Sequence, residues 1–322
     1  MERNGYFMEH LRCEGYTMDL VDKNLLTELT RNCRTSYQNL SVKFGFTANA
    51  VRKRIEKLIE NGTLYSFTIR PALNSMDANI ALTLIETDGN ESAAEFLNSL
   101  GENEMVGEVN PIATRERGYY LVLSDYIGAE GIINLGAFFR RLNHVERVTM
   151  HQVVTDQFYH GKFVEFKPLE LRVMKHLIED ARMPISELAE RANLTARRVR
   201  NVISKLEEDQ GLIFTIRWNT AAAGAVRFFL AIDYDSKKSD YEVVVNWLQK
   251  DYQKEFWLYW ISTSEPIIFA SFTVDSIEEA RGISIEVQEN SMVKSVGTWL
   301  CYPPSKFKTF PEVWLERLLV KA

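Results

Sequence analysis

Apolar residues near the start of the chain recur with the period of a helix. In "MDLVDKNLLTELTRN" they fall at Leu20, Val21, Leu25 and Leu29, one side of a helical cylinder. A shorter helical segment, "SYQNLSVKFG", stops at Gly45, a residue suited to the left-handed position that closes a helix. A third, "TANAVRKRIEKLIEN", has Thr47 placed to cap its first turn and Gly62 just past its end. "TLYSFTIR" then alternates as a strand does. Helix, helix, tight turn, helix and strand predict a helix-turn-helix with a wing.

The same pattern returns 148 residues later. Residues 34–64 laid over 182–212 match without a gap at 11 of 31 positions, among them Arg34/Arg182, Thr47/Thr195, Val51/Val199, Arg52/Arg200 and Ile55/Ile203. "VERVTMH" (145–151) falls on "VKSVGTW" (293–299) at the same offset. A period this long marks duplicated domains and not a solenoid. After each helical unit, about eighty residues read strand, helix, strand, strand, helix, strand, the order of a ferredoxin-like split βαβ fold. The predicted fold is therefore α+β, a tandem repeat of winged helix-turn-helix and ferredoxin-like (βαββαβ) domains. The boundaries read as an N-terminal extension (1–17), a first winged helix (18–71) and a first ferredoxin-like domain (78–155). A second winged helix (162–218), a second ferredoxin-like domain (225–303) and a C-terminal tail (304–322) follow. The tail is expected to end in a short amphipathic helix.

Composition narrows the class. A chain of 322 residues, 46% hydrophobic and 25% charged, is long enough for two or more globular domains. Its longest apolar runs, "RFFLAI" and "PIIFASF", are far shorter than a membrane span, and its first residues lack the apolar core of a secretory signal. Cys13, Cys33 and Cys301 lie far apart, which fits a reducing cytoplasm and offers neither a disulfide framework nor a zinc site. The net charge is −6, yet "LTARRVRNVISKL" packs three arginines into four positions. Screening confines a surface charge to a neighbourhood of roughly 10 Å, so the placement of charge says more than its sum.

Helical geometry sorts the two basic segments. With Val51, Ile55 and Leu58 turned to the core, Asn49, Lys53 and Lys57 point away, and Arg52 and Arg54 lie on the flanks. In the second copy Val199, Ile203 and Leu206 go inward. Arg197, Asn201 and Lys205 go outward, with Arg198 and Arg200 beside them. Arginine and lysine suit phosphates and guanine edges, and asparagine can pair with adenine in the major groove.

Residues 18–64 resemble the DNA-binding domain of the Lrp/AsnC transcriptional regulators, through "D..D..LL..L..N.R.SY..L" and, after the turn, "T..AV..RI..L...G". The second copy departs from this pattern, with Pro184-Ile185 in place of "SY" and Val202 in place of the arginine of "RI". The chain is similar to duplicated archaeal members of that family. The resemblance implies a cytoplasmic, sequence-specific DNA-binding regulator with double-stranded DNA as partner and no membrane partner. It leaves room for a small-molecule effector of unknown identity. The family usually places a Gly followed closely by an Asp ahead of the central strand of its effector domain, where this chain has "TRERGYYLVL" and "STSEPIIFAS". The candidate DNA contacts are Ser36, Tyr37, Thr47, Asn49, Arg52, Lys53, Arg54 and Lys57 in the first copy. In the second they are Thr195, Arg197, Arg198, Arg200, Asn201 and Lys205.

Two other classes compete. Siroheme decarboxylases use the same tandem fold, and His144, His151 and His160 lie near the end of the first ferredoxin-like unit. A "THNY"-like segment expected of those enzymes is missing, as are an HxxxH pair, paired carboxylates, a phosphate loop and a Ser or Cys nucleophile motif. No catalytic residue, metal or cofactor is expected, and any cofactor-binding residue is unknown. An architectural chromatin binder would usually be basic overall, and this chain is acidic. In the second ferredoxin-like unit Trp247, Phe256, Trp257, Tyr259, Trp260 and Trp299 read first as core or sheet-to-sheet interface, and otherwise as a pocket for a planar ligand. The connection "TDQFYHGKFV" (155–164) is short, which favours pairing of the unlike sheets between two chains in a homodimer.

Overall fold

The computed structural model describes residues 18–114, 117–155, 162–218 and 226–320. The first copy runs α1 (Leu20–Arg31), α2 (Tyr37–Phe44), α3 (Ala48–Glu60) and β1 (Leu64–Pro71). It continues through β2 (Ala78–Thr87), α4 (Ala93–Gly101), β3 (Val106–Ile112), β4 (Tyr119–Ile127), α5 (Gly128–Arg141) and β5 (Val145–Val154). The second copy repeats this order, beginning with α6 (Pro168–Leu177), α7 (Ile185–Arg191), α8 (Ala196–Asp209) and β6 (Leu212–Trp218). Then come β7 (Val226–Tyr234), α9 (Tyr241–Asp251), β8 (Phe256–Ser262), β9 (Ile267–Val274), α10 (Ile277–Glu289) and β10 (Val293–Leu300). A short strand β11 (Ser305–Lys306) and helix α11 (Phe310–Val320) follow. The N-terminal extension, 1–17, lies outside the described residues, and so does His160.

The repeat extends to backbone conformation. Gly45, with φ of 72°, ends α2, and Asn193, 148 residues on, takes the same left-handed conformation with φ of 53°. Gly62 and Gln210, again 148 apart, follow the third helix of each copy with φ of 70° and 55°. Glycine and asparagine are the residues that adopt this conformation at least cost.

Four sequence domains assemble into two compact units, one holding both helix-turn-helix segments with most of α11, the other holding both strand-rich segments. Among the described residues of the helical unit, the wing strands form no hairpins within their own copies. Instead β1 pairs with β6, antiparallel, with Phe67 opposite Ile216 and Thr68 opposite Thr215. Replacing each member of one pair by its repeat equivalent gives the other pair, so the register is that of a two-fold interface within one chain. Arg34 donates to the carbonyl of Ala181 (2.6 Å) and Arg182 to that of Thr35 (3.4 Å), a reciprocal lock across the same interface. The tail helix packs here through buried Leu315 and Leu319, with Arg217 holding Glu312 at 2.6 Å.

In the other unit the strand order is β10-β7-β9-β8-β5-β2-β4-β3-β11. One face of each half carries its helices over a core: Phe96, Leu100, Leu135 and Phe139 in the first, and Phe228, Leu248, Phe272 and Val287 in the second. The halves meet where Val153 of β5 pairs with Ser262 of β8. They meet again where Ile112 bridges Cys301, the residue 148 after Val153. Joined at both edges, the sheet closes on itself. Arg227 of β7 reaches Glu108 of β3 at 2.7 Å and Asn110 at 3.1 Å.

The pairing expected between chains is thus made within one. A short link does not prevent it, because two faces on one chain meet at a high effective concentration. A half-buried ion pair and two strand junctions then hold them. The aromatic cluster resolves as structure: Phe256 and Tyr259 belong to the helix-side core, with Trp247 packed against it. On the opposite face Trp260 packs near Phe229 and Trp299 stacks on Phe269.

Candidate nucleic-acid interface

Both recognition helices, α3 and α8, are started by a threonine. The Thr47 hydroxyl accepts from the Ala50 amide (3.2 Å) and the Thr195 hydroxyl from the Arg198 amide (3.3 Å). This cap satisfies one of the free donors of the first turn. Val51, Ile55 and Leu58, and likewise Val199, Ile203 and Leu206, are buried. The periodicity thereby leaves Asn49, Arg52, Lys53 and Lys57 exposed on one helix, and Arg197, Arg198, Arg200 and Asn201 on the other.

Two expected contacts are instead turned to carboxylates of the fold. Arg54 lies 2.8 Å from both Asp19 and Asp22 and 5.6 Å over the Phe46 ring, so it ties α3 to the start of α1. Lys205, expected to face outward, reaches Glu170 of α6 at 2.5 Å, and this hydrogen bond raises its pKa. The cause is a swap between copies. Asp22 becomes Glu170, but Arg54 becomes Val202, which cannot meet a carboxylate. Lys205, three residues further on and on the same side of the helix, takes over the pair.

The second helix in each motif also differs. Ser36 caps α2 by accepting from the Asn39 amide at 3.1 Å, and the first turn of α2 carries no acid. Its counterpart Pro184 makes no side-chain cap, and α7 carries Glu187 in its first turn. Tyr37 is covered by the Arg182 guanidinium, 4.4 Å from its ring. Arg34 and Arg182, which lock the copies together, are not among the residues that the basic helix faces pick out. Their signal in the sequence is identity at the 148-residue offset, outside those faces.

Charge availability separates the helices. Arg52 donates to Asn49 (3.1 Å) and sits 3.6 Å from Glu56. Among the described residues, Arg197, Arg198 and Arg200 have no carboxylate partner. The weaker sequence match therefore carries the more available cations.

Of the candidate histidines, the two among the described residues, His144 and His151, do not converge. His144, 3.2 Å from Asp88, precedes the strand on which His151 lies, seven residues later, or roughly 23 Å along an extended chain. His151 lies 3.3 Å from Ser262 and edge-on to Phe269. Burial lowers its pKa, with Glu265 opposing. No group of three metal-ligating side chains occurs among the described residues, and no helix among them is long and apolar enough to cross a membrane.

The fold and the paired capped helices define a helix-turn-helix protein of the kind that binds double-stranded DNA. Residues 18–59 match the AsnC-type helix-turn-helix domain, and residues 167–210 match a winged helix-turn-helix DNA-binding domain. An uncharacterized HTH-type transcriptional regulator of Pyrococcus furiosus is 32% identical over 89 residues, 28% of this chain and 60% of that protein. One from Pyrococcus abyssi is 28% identical over 136 residues, 41% of this chain and 88% of the relative. The regulatory protein AsnC of Escherichia coli is 26% identical over 34% of this chain and 70% of its own. Some matches are partial: the chain spans 60% and 48% of the length of two Pyrococcus relatives. In structure, the siroheme decarboxylase NirDL superposes with a TM-score of 0.60 at 15% identity, over 94% of this chain and 99% of that one. The chain is a relative of the Lrp/AsnC regulators with two helix-turn-helix domains in tandem.

Proposed function

We propose that this chain is a cytoplasmic, sequence-specific DNA-binding transcriptional regulator in which one polypeptide supplies both readers of a family dimer. The observation that carries this reading is the pair of capped basic helices placed by a two-fold register in one unit. Arg52, Lys53, Arg197, Arg198 and Arg200 would neutralise phosphates or meet guanine edges, and Asn49 and Asn201 would meet adenine. Because the sheet face a homodimer would cover is covered internally, the reader is assigned to the single chain, and a second copy is not required. A small-molecule effector has no assigned site in this reading. Fluorescence anisotropy with genomic duplexes should show binding at low salt that weakens steeply as salt rises, the mark of counterion release. Absence of binding to any fragment at low salt would refute the reading.

A second reading is favoured by the NirDL superposition, which extends over nearly the whole chain: a tetrapyrrole enzyme on the same fold. In that reading His151, 3.3 Å from Ser262, is the described histidine to test. Our reading expects no stoichiometric absorbance change on adding siroheme. A saturable change abolished by His151→Ala would favour the enzyme instead.

A further inference from the structure

In its first two turns each recognition helix aims one pair of side chains most directly away from its buried face, and the two pairs are unlike. Opposite Val51, Ile55 and Leu58, at about 100° per residue, lie Asn49 and Lys53. Opposite Val199, Ile203 and Leu206 lie Arg197 and Asn201. All four are exposed. They occupy equivalent places, since Asn49 corresponds to Arg197 and Lys53 to Asn201 at the 148-residue offset. Read from the N-terminus, the first helix presents an amide and then, one turn on, a cation. The second presents a cation and then an amide.

The scaffold beneath them is close to symmetric. The β1–β6 register maps onto itself under the 148-residue offset, and Arg34 and Arg182 lock the copies reciprocally. Two readers related in this way address inverted half-sites. Asparagine pairs bidentately with adenine, whereas arginine and lysine favour the O6 and N7 of guanine. A symmetric frame therefore carries an exchanged reading order. The flanks differ too, because Arg52 is engaged by Glu56 (3.6 Å) while the second helix offers Arg198 and Arg200.

We infer that the DNA partner is a duplex with two inverted but unlike half-sites. In the half met by the first helix, adenine is read nearer the helix N-terminus and guanine one turn on. In the half met by the second helix, that order is reversed. A perfect inverted repeat matches one helix and mismatches the other. This inference rests on the DNA-reading function proposed above.

Selection from a random duplex pool with the full chain tests it. The expected consensus has two halves that are not inverted copies. The double variant Asn49→Arg/Lys53→Asn gives the first helix the outward pair of the second. It should shift the consensus to an inverted repeat of the second half-site and weaken binding to the original duplex by on the order of tenfold. Both positions are exposed, so an unchanged melting temperature confirms that the variant is folded. A palindromic consensus from the unaltered chain, or an unchanged consensus from the folded variant, overturns the inference and leaves DNA reading intact. Retention of no duplex at all overturns both.

Discussion

Replacing Arg227 with methionine is expected to destabilise the strand-rich unit by about 2 kcal/mol, because it leaves a largely buried carboxylate without its main partner. Glu108 accepts from Arg227 at 2.7 Å, and Lys306 stands off at 3.7 Å. Desolvation by burial works to raise the Glu108 pKa, but the charges of Arg227 and Lys306 and hydrogen bonds from Arg227 and Asn110 outweigh it. The carboxyl is held from its usual 4.5 down to about 2. A carboxyl whose pKa is depressed by folding stabilises the fold above its unfolded value and stops doing so as pH falls through its folded value. The contribution is therefore complete above pH 4.5 and fades between 4.5 and about 2. Denaturant titrations at neutral pH should show the full difference between variant and parent, and titrations near pH 2 a much smaller one. A variant equally destabilised at both would show that the pair acts through packing alone.

The second large effect concerns DNA. Replacing Arg197, Arg198 and Arg200 together with alanine should make the dependence of log affinity on log salt shallower by about two, one for each phosphate that Arg198 and Arg200 no longer neutralise, with the guanine contact of Arg197 lost besides. Affinity at low salt should fall on the order of a hundredfold. All three side chains are exposed on α8, so thermal stability should hold. Arg54→Ala is the contrasting case. Because its guanidinium is committed to Asp19 and Asp22, it should lower stability and leave the salt slope nearly unchanged. Equal slopes for the parent and the triple variant would remove α8 from the interface.

Much of this is legible in the sequence because local rules and tertiary structure agree. Thr47 and Thr195 cap, Gly45 terminates, and the apolar positions of both recognition helices are buried as their period requires. What could not be read is what depends on partners distant along the chain. Arg54 and Lys205 lie on basic helices like their neighbours, and only the positions of Asp22 and Glu170 in the fold reveal that they are engaged. The β1–β6 pairing and the Arg227–Glu108 bridge join residues more than a hundred positions apart. No periodicity encodes such a partner. A strand's alternation says which face is buried, and not whether the covering face comes from the same chain.

Native mass spectrometry of the full chain bound to a selected duplex counts the polypeptides that make one reader. A complex holding a single 37.2 kDa chain per duplex is the predicted result. A complex that always holds two chains, about 74 kDa of protein at twice the 37.2 kDa mass, and never one, would contradict it.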